Sequence, residues 1–307
     1  MSKTVDVRDK EDRSMQKTSL YFLLTLLLII LCTPVGCKYQ ADKPAPTNPP
    51  SIAEQPVNPA PAPLVPPVEK PVQEPQPTPI NEKTLSWWFT RNQQHQVPAI
   101  NQAAAQLLAQ NNAFYVLPNS SKKIYLTFDN GYELGYTAQI LDILDRKQVK
   151  AAFFITGQFI ETQPGLVKRM HSSGHLVCNH TWNHPDLTTV SQDKLNQEIQ
   201  SLEQRFTELT GGQMPRYLRP PMGNYSPTSL QRTNALGYRT VFWSIAFQDW
   251  NPNQQPGAEF SRQHVLNNIH PGAVILLHAV SQSNTQALEN IITDLQAQGY
   301  VFSTFSG

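Results

Sequence analysis

Ile124–Glu133 reads IYLTFDNGYE, and its first half has the signature of a strand covered on both faces. Ile124 to Phe128 are almost all apolar or β-branched, with little alternation, as in the interior strands of parallel sheets. The run stops abruptly at Asp129, Asn130 and Gly131. An ordinary Asp-Asn-Gly turn explains those three residues taken alone. An acid directly after a buried strand is also what the C-terminal mouth of a parallel sheet presents to a ligand. The rest of the chain decides between the two.

Outward from this stretch, short apolar runs recur at Ala151–Thr156, Leu176–Cys178, Tyr217–Leu218, Thr240–Trp243, Val274–Leu277 and Tyr300–Thr304. Amphipathic segments lie between them. Leu195, Ile199, Leu202, Phe206 and Leu209 form a helical stripe, with Ser191 placed to cap its start and Gly211 beyond its end. Leu288, Ile291, Ile292 and Leu295 form another, closed by Gly299. The alternation predicts one α/β barrel-like domain of about seven parallel strands over residues 123–307, smaller than the typical eight-unit barrel. Asp129, the Asn179–His180 pair, Arg219, Asp249 and His278 all fall at or just after the ends of these runs. In a parallel barrel those ends converge on one face, which favours a site over scattered turns.

The front of the chain is different in kind. Leu20–Cys32 is apolar except for Tyr21 and Thr25, is preceded by Lys17, and is short for a membrane span. Residues 1–37 are therefore expected to direct export, with three outcomes open: lipidation at Cys37 after Val35-Gly36, simple cleavage, or retention as an anchor. Each places the rest of the chain outside the cytoplasmic membrane, tethered or associated with a cell wall. Fourteen of the 26 prolines lie between Ala41 and Ile80, so residues 38–83 are expected to be a linker, reaching about 140 Å at about 3.1 Å per residue. Residues 84–122 form a lead-in, with Trp87, Trp88 and Phe89 expected to pack on the domain and Ile100–Leu108 expected to be helical. A net charge of +1 argues against a nucleic-acid partner. Cys178 is the single cysteine of the folded part, which excludes an intrachain disulfide framework there.

The polar residues permit a definite chemistry. His180-Thr-Trp-Asn-His184 places two imidazoles on one side of a helical turn or tight loop, as a metal requires, although satisfied structural histidines are the commoner origin of such a pair. His278 emerges from a buried run and Asp249 is positioned to orient it, which suits a general acid. In Arg219-Pro220-Pro221-Met222-Gly223 the prolines stiffen a loop that either turns a corner or clamps the guanidinium against a carboxylate. A bound water, a carboxylate base, an oxyanion site and an imidazole acid together describe metal-assisted hydrolysis. No Gly-x-Ser-x-Gly elbow or P-loop is present.

TFDNG, HTWNH, RPPMG, Asp249-Trp250 and the LLH ending at His278, in this order, resemble the five motifs of the polysaccharide deacetylase family, also called carbohydrate esterase family 4 or the NodB-homology domain. The resemblance covers roughly Lys123–Phe305. It implies a distorted (β/α) barrel and metal-dependent removal of N-acetyl groups from a polymer of amino sugars, with Zn, or else Co or Mn, as the ion. It implies Asp129 as catalytic base, His180, His184 and Asn130 as metal ligands, and Arg219 as the residue orienting the base. Tyr225 is implied to supply the oxyanion N–H, and Asp249 to be the partner of the acid His278. Two positions depart from the pattern: Asn130 stands where a second Asp is usual, and Ala246 replaces an earlier acid of the fourth motif.

TFDNGYE, LSWWFTRNQQHQVP, NHPDLTT and VFWSIAFQDW resemble the branch that deacetylates N-acetylmuramic acid in peptidoglycan, on the way to muramic δ-lactam. In that branch the position of Met222 can be Arg. The expectation is an exported, monomeric peptidoglycan deacetylase that acts on glycan strands and is held at the membrane by its N-terminal segment. An N-acetylglucosamine deacetylase of peptidoglycan or a chitin-like polymer is the alternative within the family. A wall-binding module with a decayed metal site is the alternative outside enzymes.

Overall fold

In the computed structural model, residues 82–92, 94–117 and 121–305 are described; the export segment, and the linker up to residue 81, lie outside them. In chain order the strands are β1 (Leu85–Ser86), β2 (Lys123–Asn130), β3 (Ala152–Ile155), β4 (Leu176–Asn179), β5 (Tyr217–Leu218), β6 (Asn224–Tyr225), β7 (Arg239–Thr240), β8 (Val274–His278) and β9 (Val301–Phe302). The helices are α1 (Gln102–Gln110), α2 (Thr137–Lys147), α3 (Gly157–Thr162), α4 (Pro164–Ser172), α5 (Gln192–Thr210), α6 (Pro227–Ala235), α7 (Ala258–Asn268) and α8 (Gln282–Ala297).

Strand β2 is buried from Ile124 to Asn130, because successive side chains enter two different cores. Ile124, Leu126 and Phe128 pack outward with helix residues such as Ile140, Leu288 and Ile291. Tyr125 points the other way, into a cluster with Phe154, Cys178, Tyr217 and Phe305. With both faces covered, alternation disappears from the sequence of this strand, as in other parallel sheets. The strand order is β7-β5-β4-β3-β2-β8, with β9 paired to the start of β2, and all of these pairings are parallel. Beyond β7 the chain reaches the opposite edge, where the Leu276 N–H donates to the Ile245 carbonyl at 2.9 Å. The curl is therefore a distorted (β/α) barrel. The Phe305 ring lies against Phe114, Tyr125 and Tyr217 and fills its interior.

The helices follow their sequence signals. Ser191 Oγ accepts from the Lys194 N–H at the start of α5, and Gly211 ends it in a left-handed conformation at φ +73°. Gly299 (φ +80°) follows α8. The run Thr240–Trp243 forms only a two-residue strand at Arg239–Thr240, because Val241 bridges Phe114 of the lead-in and Ile245 bridges Ile275 of β8. The lead-in packs through β1, antiparallel to β6, and through Trp87, which stacks on Phe242 with centroids 4.4 Å apart. One expectation for this segment fails. Trp87 and Phe89 are buried, but Trp88 between them is 71% exposed, since strand alternation sends it to the opposite face.

Candidate active site

Asp129 is the penultimate residue of β2, in register with His278 of β8. The loops after β4 and β5 bring His180 and Arg219 beside it. Arg219 Nη1 donates to Asp129 Oδ1 at 2.6 Å, and Nη2 donates to Thr127 Oγ1 at 2.9 Å. The guanidinium carbon lies 4.1 Å from the centroid of the Phe154 ring, so Arg219 is clamped in the barrel interior with no exposure. Burial pushes the Asp129 carboxyl up. The charge of Arg219, with smaller contributions from His180 and His278, outweighs it and holds the group below the ordinary carboxylate range. An ionised acid with one oxygen committed to Arg219 results. Its other oxygen, Oδ2, lies 3.6 Å from His180 Nε2.

His180 Nδ1 lies 2.7 Å from the Arg219 carbonyl oxygen. Since that oxygen only accepts, Nδ1 carries the proton and Nε2 keeps its lone pair on the Asp129 side. Burial lowers the His180 pKa to about 4 and also lowers that of His184. Both rings are therefore neutral near pH 7, the state that ligates a metal. Their centroids are 4.8 Å apart. The His180–His184 segment is a tight loop, with Thr181 and His184 in left-handed conformations at φ +69° and +58°.

His278 has the opposite character. Burial works against its charge, but Asp249 reverses the balance and raises the imidazole above its ordinary value. Asp249 Oδ1 lies 2.7 Å from His278 Nδ1, and Oδ2 accepts from the His278 backbone N–H at 2.9 Å. A protonated imidazole with a fixed Nδ1 leaves Nε2 as its free proton. Asp129, His180, His184 and His278 line one cavity of about 830 Å3, with Trp182, Trp243 and Trp250 among its walls. Arg219 and Asp249 are buried and act through the residues they hold.

Two expected site residues are placed differently. Tyr225 does not line the cavity; its ring packs against Trp87 and Phe242. The Trp87 N–H donates to the Gly223 carbonyl at 2.8 Å, and the β1–β6 register pairs Leu85 with Tyr225 two residues on. Alternation along an antiparallel ladder makes that the next pair to exchange N–H···O bonds. The Tyr225 N–H is thus committed to Leu85, which corrects its assignment to the oxyanion. From the same loop, Met222 and Gly223 line the cavity instead. Met222 is left-handed at φ +59°, and the following amides of Gly223 and Asn224 are taken by the carbonyls of Pro220 and Pro221. Gly223 (φ +69°) has no room for a side chain, since a Cβ there would meet Trp243 at 2.8 Å.

Asn130, next to Asp129 in β2, is fully buried and is not among the cavity-lining residues. Its Nδ2 donates to Thr137 Oγ1 at 3.2 Å, and its buried Oδ1 has no hydrogen-bond partner among the described residues. A buried orphan acceptor is costly unless an ion or water completes it. Among the described residues no three His, Cys, Asp or Glu side chains converge on a point. Two neutral imidazoles and this unpartnered amide oxygen are the donors that a divalent cation would draw on here.

Two supporting residues escaped the sequence reading. Glu198 accepts from the Asn183 N–H at 2.6 Å and from Asn183 Nδ2 at 2.7 Å, which braces the histidine loop from α5. Its signal was a carboxylate inside the apolar stripe Leu195, Ile199, Leu202. Asn284, in the first turn of α8, donates through Nδ2 to Asp249 Oδ2; nothing in its local sequence marked it.

A family model described as polysaccharide deacetylase matches residues 117–241. An uncharacterized 30.6 kDa protein of Geobacillus stearothermophilus is 46% identical over 225 residues, 73% of this chain and 85% of that protein. The peptidoglycan-N-acetylmuramic acid deacetylase PdaA of Bacillus subtilis is 44% identical over 225 residues, 73% of this chain and 86% of PdaA. The solved structure of B. subtilis PdaA, a family 4 carbohydrate esterase, aligns with a TM-score of 0.71 over 74% of this chain and 96% of that one. With the motif residues gathered around one cavity and these relatives covered over most of their length, the chain belongs to the polysaccharide deacetylase family.

Proposed function

We propose that this protein is a peptidoglycan deacetylase that removes N-acetyl groups from N-acetylmuramic acid. The observation that carries the chemistry is the pairing of opposites across one cavity. Asp129 is held ionised by Arg219, and Asp249 favours the protonated form of His278. Similarity to PdaA supports the substrate.

In this reading Asp129 Oδ2 takes a proton from water as the water oxygen attacks the acetamide carbonyl carbon. The Arg219 clamp fixes the direction of that oxygen. The oxyanion forms beside the cavity-lining turn at Met222, whose amide takes the role first expected of Tyr225. His278 Nε2 then gives its proton to the leaving nitrogen as the C–N bond breaks, releasing acetate and a free amine. Asp249 keeps the proton on Nδ1, so His278 is left neutral with Nε2 bare; Asp129 has gained one proton and His278 has lost one, and exchange with solvent resets both. His180, His184 and the Asn130 amide oxygen would hold a divalent ion, zinc first among the candidates, which polarises the acetamide oxygen and lowers the pKa of water. On a muramic residue with a free lactyl carboxyl, the new amine stands within reach of that group, the geometry of a δ-lactam precursor. Export by residues 1–37 and a linker over residues 38–83 complete the proposal by placing the domain in the wall.

Asp129→Asn is the direct test. It preserves shape and removes the base, so acetate release from peptidoglycan should fall about 100-fold or more with the fold intact. Wild-type rates in that variant would overturn the mechanism.

A further inference from the structure

We infer that Trp88, from the lead-in rather than from the barrel, is a stacking platform for a second sugar ring of the glycan strand, outside the cavity. The inference rests on the reading of a polysaccharide substrate given above. From Ser86 to Thr90, exposed and buried side chains alternate strictly. Trp87 and Phe89 anchor the segment in the core, while Trp88 is left 71% exposed. A tryptophan with that much open surface has no packing role of its own. Its position is defined by the β1–β6 ladder. Ser86 pairs with Asn224, and the Trp87 N–H bonds to the Gly223 carbonyl. Trp88 therefore directly follows the residue that is tied to the Pro221–Gly223 turn. Met222, in that turn, is itself 58% exposed and lines the cavity with Gly223.

The surroundings suit a sugar. Tyr132 and Trp250, the other exposed apolar side chains of the cavity lining, give further aromatic surface. Next to Trp88 on its own face, Ser86 Oγ donates to Asn224 Oδ1 at 3.0 Å, and Asn224 Nδ2 donates to Asp186 Oδ2 at 2.8 Å. An aromatic face flanked by hydroxyl, amide and carboxylate groups matches a pyranose, with its C–H face on the ring and its hydroxyls at the edge. A polymer whose reacting residue occupies the cavity must continue past its mouth, and Trp88 follows the residue bonded to a turn that lines it.

The test compares full-length wild type, Trp88→Ala and Trp88→Phe on peptide-free glycan strands of two, four and six sugars. Trp88→Ala should raise KM for the tetra- and hexasaccharide about tenfold, about 1.4 kcal/mol, with kcat unchanged and the disaccharide altered less than twofold. Trp88→Phe should recover most of the loss. Equilibrium binding of the same oligosaccharides to chelator-treated protein supplies a second readout that needs no turnover. Wild-type KM in Trp88→Ala at every length, equal losses at every length, or absence of length-dependent binding by wild type would each overturn the platform. A wild-type KM of Trp88→Ala for the tetra- and hexasaccharide, with acetate still released, would refute only the platform. Trp88-dependent binding without acetate release from any glycan would refute only the enzymatic reading.

Discussion

Replacing Glu198 with Gln perturbs the His180–His184 loop without touching the cavity. Glu198 is 1% exposed. It holds both Asn183 donors, at 2.6 and 2.7 Å, and pairs with Lys194 at 2.8 Å. Its own carbonyl accepts the Trp182 N–H at 3.0 Å. Asn183 offers two N–H groups, so a glutamine can satisfy one and must set its NH2 against the other. An unsatisfied buried donor costs about 1–3 kcal/mol, and a loss of about 2 kcal/mol lowers Tm by about 4–8 °C in a domain of this size. Because Asn183 lies between the two histidines, zinc affinity should also fall about tenfold or more, as for other residues that orient ligands. The effect has a pH signature. Burial pushes the Glu198 carboxyl up, but Lys194 and Asn183 hold it below the usual glutamate value. A depressed carboxylate stabilises fully above its unfolded-chain pKa, and the contribution is lost as pH falls through the native one. The difference in Tm between wild type and Glu198→Gln should therefore be largest near neutrality and shrink in acid. Calorimetric unfolding across pH, with zinc titration of the apo proteins, measures both quantities. Equal Tm and equal zinc affinity at pH 7 would refute the bracing role.

Other outcomes follow from the same geometry. Asn130→Asp adds a charge at the orphaned amide oxygen and should tighten zinc binding at least tenfold by calorimetric titration; unchanged affinity would remove residue 130 from the ligand set. Asp249→Asn removes the charge that raises His278, so the imidazole pKa should drop and the alkaline limb of kcat/KM should move to lower pH, with NMR titration of the ring as the independent check. An unmoved limb would take His278 out of the role of acid.

Much of this architecture was legible because the decisive residues sit at strand ends. The continuous apolar run before Asp129 required a strand buried on both faces, and the structure supplies two cores for its alternate residues. Arg219, Asp249 and His278 each follow an apolar run, so a parallel curl was bound to gather them. What depended on backbone phase was not legible. Trp88 was expected inside with its neighbours, but one residue of alternation sends it out. Tyr225 was given an N–H role that the β1–β6 ladder already uses, because a pairing between segments about 140 residues apart leaves no local trace. Glu198 was hidden for the reverse reason: its charge fell within a helical apolar stripe, and the partner that explains it, Asn183, belongs to a loop whose conformation the sequence does not reveal.

The central claim is settled most directly by which sugar loses its acetyl group. Purified protein with zinc should be incubated with peptide-free peptidoglycan strands, and the muramidase digest read by tandem mass spectrometry. The expected result is deacetylated muramic residues, or their δ-lactam, with glucosamine residues still acetylated. Acetyl loss confined to glucosamine would contradict the substrate, and intact acetyl groups on both sugars would contradict the enzymatic reading itself.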